Sequence, residues 1–166
     1  KESIMLMNQK MVKGYYELMK PGILYLVLIT TFLGYYLGNK GQIHWIKLIE
    51  LLAGAGMVCA GSAALNHYLE REYDSKMRRT KNRPLPLKTI EPAQALQFGV
   101  ILTIAGIAIL YTQINILTAF LSLLTTFLYI MVYTPMKRTS WLNTTFGAIP
   151  GAMPPLGGWA AATGHL

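Results

Sequence analysis

Asn66, Glu70 and Asp74 stand four residues apart in the stretch Asn66-His67-Tyr68-Leu69-Glu70-Arg71-Glu72-Tyr73-Asp74. Four residues advance a helix by about 400°, so an amide and two carboxylates share one helical face. These are hard oxygen ligands. So sparse a set suits Mg2+, which binds through one or two carboxylates and completes its shell with water and substrate phosphate. The bland alternative is that Glu70 and Asp74 pair with Arg71, Lys76 and Arg78. Arg78, Arg79, Lys81 and Arg83 follow within ten residues of Asp74, and Lys137 with Arg138 forms a second basic pair. Guanidinium groups fit phosphate oxygens in pairs. Acid at one end of a loop and base at the other can hold a metal and a diphosphate together. The competing reading of the basic residues is a topology signal or attraction to anionic lipid.

Other reactive types offer less. Cys59 lies in an apolar stretch and reads as a small buried residue, and one cysteine supports neither a disulfide framework nor a cysteine metal site. Among the histidines, His44 and His165 lie far from the acidic stretch, and His67 points about 100° away from Asn66 on a helix. Tyr25, Tyr35, Tyr36, Tyr68, Phe127, Tyr129, Tyr133 and Trp159 could line a cavity that shields a cation with ring faces, Tyr129 and Tyr133 above the rest. They could equally serve packing or an interfacial belt.

The elements that must position these groups are membrane helices. Of 166 residues, 53% are hydrophobic and 13% charged, where a soluble domain carries about a quarter charged. No charge occurs in 21–39, 51–69, 92–136 or 139–164. Apolar runs of about 20 residues are long enough to cross a bilayer. The fold class expected is therefore an all-α integral membrane protein of about five transmembrane helices. Residues 1–20 form a basic, amphipathic segment suited to the interface, with a loose basic tail the equal alternative for residues 1–10, and residues 21–166 form the membrane domain. No short apolar core with a small-residue cleavage site precedes the first span, which should act as its own insertion signal.

Pro21 opens the first span, about Pro21–Leu37, and Gly38-Asn39-Lys40-Gly41 turns the chain. The second runs from about Trp45 to Tyr68 and on through the acidic stretch. Its Gly56, Ala60 and Ala64 make a small-residue stripe for close helix packing. Pro84 and Pro86 interrupt helix in the basic loop, and Thr89 is the expected N-cap of the third span. The uncharged run 92–136 would be about 67 Å of helix, twice the apolar core, so it must turn, near Thr112-Gln113-Ile114-Asn115. Pro135 should end the fourth span at Thr134. The fifth, about Leu142–Thr163, contains Pro150, Pro154 and Pro155 and should be kinked or broken.

The N-terminus, the 71–88 loop and the 137–138 loop then share one side, with thirteen of the fifteen Lys and Arg residues. The positive-inside rule makes that side cytoplasmic, in the cell inner membrane. It also explains the net charge of +8 without nucleic acid. Asn143-Thr144-Thr145 matches a glycosylation pattern but falls on the cytoplasmic side.

At the acidic stretch the chain resembles the UbiA-type intramembrane prenyltransferases. The resemblance rests on Asn66-x3-Glu70-x3-Asp74 and on three further stretches. These are Tyr15-Tyr16-Glu17-Leu18-Met19-Lys20-Pro21; Asp74-Ser75-Lys76-Met77-Arg78-Arg79-Thr80-Lys81-Asn82-Arg83-Pro84-Leu85; and Tyr133-Thr134-Pro135-Met136-Lys137-Arg138-Thr139 with Gly151-Ala152-Met153-Pro154-Pro155-Leu156-Gly157-Gly158-Trp159. It implies a Mg2+-dependent enzyme of the branch that farnesylates haem. Asn66, Glu70 and Asp74 would be the catalytic metal ligands. Arg78, Arg79, Lys81, Arg83, Lys137 and Arg138 would bind the diphosphate of farnesyl diphosphate. The vinyl group of haem b would be the acceptor, and haem O the product. Family members usually have Asp where this chain has Glu70, whose extra methylene moves the carboxylate by roughly 1.5 Å. They also have about nine spans and a second acidic motif in a C-terminal half, so 166 residues should be inactive alone. The alternatives are a sister prenyltransferase acting on an aromatic or quinone precursor, and a non-catalytic membrane subunit or lipid-binding module.

Overall fold

Hydropathy and turn chemistry lay out a helical bundle. The computed structural model describes residues 2–137 and 143–166. Among them all regular structure is helical: α1 (Glu2–Leu18), α2 (Pro21–Gly38), α3 (Trp45–Lys76), α4 (Pro92–Ile109), α5 (Ile116–Phe127), α6 (Thr134–Met136) and α7 (Asn143–Thr163). Four stretches are long and apolar enough to cross a membrane: Pro21–Gly38, Trp45–Lys76, Pro92–Ile114 and Ile116–Met136. The chain is thus an integral membrane protein. α7 matches these in length at 21 residues, but its glycines and prolines dilute its hydropathy, so four strongly apolar helices stand where five are expected.

α1 is docked on the bundle. Leu18 is fully buried with Ala64, Leu85, Ile90 and Ala95, and the Tyr15 ring lies 4.9 Å from that of Phe98, while Val12 and Tyr16 face outward. α3, at 32 residues, is about 48 Å long. It outruns an apolar core of about 30 Å, so its last turns carry the acidic face beyond that core.

Small residues set the helix crossings, though not the stripe expected. Ala60 and Ala64 are buried, yet Gly56 only faces Leu28 and Leu24 of α2 at ordinary contact distance. The tight approach is between Gly54 and Gly61 of α3 and Gly99 and Gly106 of α4. A methyl on Gly61 would strike the Thr103 hydroxyl and lie 2.7 Å from the Gly99 carbonyl oxygen. α2 and α7 close in the same way, Gly34 on the Pro155 carbonyl and Gly158 on the Thr31 carbonyl. Small side chains let backbones meet where lipid offers no hydrophobic drive.

The turn in the long apolar run falls as expected. A π-helical turn, Leu110–Ile114, leads to extended Asn115, which caps α5 by accepting from the Thr118 N–H at 2.8 Å. Two local expectations need correcting, and a third is narrowed. α4 starts under Glu91, not Thr89: the Glu91 N–H donates to the Gln94 side chain at 3.1 Å, and Pro92 occupies the first turn. Pro135 does not end the fourth span. A second π-helical turn, Leu128–Tyr133, widens the helix ahead of it, and the Thr134 hydroxyl donates to the Tyr129 carbonyl at 2.8 Å, so helix continues to Met136. Of the two outcomes expected for the fifth span, a break is excluded, since α7 is continuous helix through all three of its prolines. Pro150 and Pro154 face a cavity with Gly151 between them.

Candidate functional site

Helix periodicity delivers the acidic face: Asn66, Glu70 and Asp74 are all buried, at 2%, 4% and 2% exposure. Buried carboxylates need counter-charge, and the fold supplies it from far along the chain. Arg83 lies 2.6 Å from Asp74 and 3.8 Å from Glu70. Lys137 lies 3.3 Å from Glu70. The basic loop is fastened to α3 as well, the Thr80 hydroxyl donating to the Asp74 carbonyl at 3.0 Å. None of Arg71, Lys76 and Arg78 takes this pairing role. Arg71 turns to Glu72 and to the face of the Tyr68 ring.

The site therefore gathers Asn66, Glu70, Asp74, Arg83 and Lys137. Arg78, Arg79 and Lys81 are exposed on the loop and do not reach the carboxylates, and Arg138 lies outside the described residues. No group of three His, Cys, Asp or Glu side chains comes together among the described residues; the acidic set is two carboxylates and an amide.

Sequence reasoning missed Lys20. It sits between α1 and α2 in a left-handed conformation, φ 49°, and its ammonium donates to Asn66 Oδ1 at 2.6 Å and to the Tyr129 hydroxyl at 3.3 Å. Burial above all, and then the charge of Arg83, bring its pKa from 10.5 down to about 8 against the pull of Glu70. At neutral pH it stays charged. Among the described residues, Arg83 and Lys137 contact the two carboxylates and Lys20 is attracted to both from Asn66. A positive surplus in a buried pocket favours an anion. The Lys-Pro pair at the mouth of the first span was the available signal, but nothing local ties it to a residue 46 positions on.

Asn66 is fixed from both ends, since its amide nitrogen donates to the Thr134 hydroxyl at 3.0 Å. Its neighbour His67 is buried too, with both ring nitrogens unpartnered among the described residues.

Below this cluster lies a cavity of about 520 Å3 between α2, α3, α5 and α7, within the 300–1,000 Å3 range of ligand pockets. Its wall is mainly apolar, with Leu26, Leu51, Val58 and Leu121, and Lys20, Ser62 and Tyr129 give it polar points. Tyr129 and Tyr133 line it with rings stacked 5.7 Å apart. The other aromatics named above do not: Tyr35 is buried in the core, Tyr68 carries Arg71, and Tyr25, Tyr36, Phe127 and Trp159 are exposed. The arrangement can take an amphiphile, an anionic head at the cations and an apolar tail in the cavity.

Comparison with known proteins agrees with this shape. A model of the UbiA prenyltransferase family matches residues 27–166. The chain is 44% identical over 164 residues to the protoheme IX farnesyltransferase of Solibacter usitatus (strain Ellin6076), covering 93% of this chain and 56% of that one. It is 41% identical to the protoheme IX farnesyltransferase of Aquifex aeolicus (strain VF5), covering 96% and 55%. It is 42% identical to that of Salinibacter ruber (strain DSM 13855 / M31), covering 94% and 55%. The chain thus spans about half the length of the curated relatives it matches. A solved structure concerning digeranylgeranylglyceryl phosphate synthase in membranes superposes with a TM-score of 0.81 at 23% identity, covering 91% of this chain and 53% of that one, which is a likeness of fold. With the family model spanning most of its residues and relatives above 40% identity across nearly its whole length, this chain belongs to the UbiA prenyltransferase family.

Proposed function

We propose that the polypeptide carrying this chain transfers a farnesyl group from farnesyl diphosphate to a vinyl group of haem b, making haem O. The observation that carries the reading is the buried cluster of Glu70, Asp74, Arg83, Lys137 and Lys20 at the edge of a largely apolar cavity. A diphosphate head and an isoprenoid tail need that pairing. The acceptor is taken from the names of the relatives.

The residues fit Mg2+. Glu70 and Asp74 offer hard oxygens, few enough to leave positions for phosphate and water, with Asn66 as third donor. A bound Mg2+ would neutralise charge on the departing diphosphate. Arg83 and Lys137 meet the same charge directly, and Arg78, Arg79, Lys81 and Arg138 are the further phosphate contacts of this reading. The C–O bond of farnesyl diphosphate breaks and its electron pair leaves with the diphosphate. The vinyl carbon adds to the allylic cation, then water adds and loses a proton, completing a hydroxyethylfarnesyl group. Cations fixed before the reaction stabilise the leaving group without reorganising. The apolar wall keeps water from the cation, and the ring faces of Tyr129 and Tyr133 stabilise it. In this reading residues 1–20 lie at the cytoplasmic interface of the cell inner membrane, residues 21–166 form part of the membrane domain, and a C-terminal half supplies a second acidic motif.

The test is direct. Membranes containing the full-length gene product, given haem b, farnesyl diphosphate and Mg2+, should yield haem O by mass spectrometry. Prenylation of 4-hydroxybenzoate in its place would assign the chain to a different branch, and no prenyl transfer to either acceptor would point to a non-catalytic subunit.

A further inference from the structure

The oxygens of the acidic face are already engaged by the protein's own cations. Arg83 and Lys137 take the carboxylates, and Lys20 takes Asn66 Oδ1 at 2.6 Å. That last contact differs in kind. Asn66 is neutral, so the direct contact of Lys20 is an ion–dipole bond, while Glu70 and Asp74 attract it without touching it. The amide is held in this orientation by the bond its nitrogen donates to the Thr134 hydroxyl. Lys20 reaches this position from a left-handed backbone, a conformation that is strained for a non-glycine residue. Its ammonium also borders the cavity and touches the Tyr129 hydroxyl at 3.3 Å.

We propose that Lys20 is a place-holder: in the substrate-free protein its ammonium occupies the cation position at Asn66 Oδ1, and it passes to the diphosphate when a divalent ion arrives. The inference rests on the metal reading of Asn66, Glu70 and Asp74 and adds to it a built-in competitor. Lys20 is thus a positioning residue that makes metal and diphosphate enter together. A bare cation must displace it against charge repulsion, while an incoming diphosphate gives it a new partner.

The consequence is an effect with two signs. Binding of Mn2+, a spin-active substitute for Mg2+, is followed by electron paramagnetic resonance on the full-length protein in detergent, with and without inorganic diphosphate. Without diphosphate, Lys20→Met should bind Mn2+ about tenfold more tightly than wild type, since a like charge has gone. In Mn2+-saturated protein the same variant should bind inorganic diphosphate about tenfold more weakly. Lys20→Arg should stay near wild type in both. Should Lys20→Met fail to fold, Lys20→Gln is read by the same two measurements. Unchanged or weaker Mn2+ binding in the neutral variants, while Asp74→Asn weakens it, overturns the place-holder and leaves the metal site standing. Mn2+ binding that Asp74→Asn does not weaken overturns the metal reading and the place-holder with it.

Discussion

Asp74 combines near-complete burial with a 2.6 Å bond from Arg83, so its charge serves the cluster and not solubility. Asp74→Asn keeps the shape and removes the charge. Turnover by the full-length protein should fall at least about a hundredfold, the scale of losing one electrostatic contact to a transition state, while membrane insertion, followed by fractionation, stays intact. Wild-type turnover would refute a catalytic role. The acidic face itself was legible, because a four-residue spacing is a local property of one helix. Its partners were not. Arg78, Arg79, Lys81 and Arg83 are equivalent by composition, and only the path of the loop, fastened by Thr80 to the Asp74 carbonyl, turns Arg83 inward. Lys20 was hidden for the same reason, its partners lying 46 and 109 residues away.

At the scale of helices, the α3–α4 crossing rests on absent side chains. Gly61→Ala puts a methyl against the Thr103 hydroxyl and two backbone groups, none of them a flexible side-chain end. It should destabilise the bundle by about 1–3 kcal/mol, the usual cost of overpacking. Gly22→Ala, which meets nothing within 4 Å, is the matched control in thermal unfolding in detergent. Equal stability of the two variants would mean that the crossing is looser than drawn. Hydropathy and turn residues located the apolar spans and the bend at Asn115, but proline was over-read. The residue pattern marks Pro135 as an end and Pro150, Pro154 and Pro155 as kinks or breaks. A π-helical turn absorbs the first, and cavity-facing helix with close α2–α7 packing absorbs the others. Neither compensation is written in the local sequence.

Across the whole molecule, cavity and charge must be aligned with the bilayer. Ala55 lines the cavity wall. Ala55→Phe should fill space meant for a tail and raise the KM for farnesyl diphosphate about tenfold, within the range of discrimination by a hydrophobic pocket, by steady-state kinetics. A headgroup effect would instead appear equally with inorganic diphosphate as inhibitor. The charge bias predicts orientation: in intact cells, Lys40→Cys should react with an impermeant maleimide and Lys81→Cys should not. The reverse pattern would turn the chain over.

The π-helical turn at Leu128–Tyr133 carries one further consequence. Such a turn holds one more residue than the α-helical turn it replaces, so everything after it is set in phase by chain length as well as by residue type. Removing one residue there would restore a regular helix with Lys137 still facing Glu70, whereas straightening the turn at unchanged length would swing Lys137 about 100° away. A one-residue deletion within Leu128–Tyr133 should therefore be tolerated better than one within the preceding α5, which has no extra residue to give up and would throw Lys137 out of register with Glu70; thermal unfolding of the two deletion variants in detergent would show it.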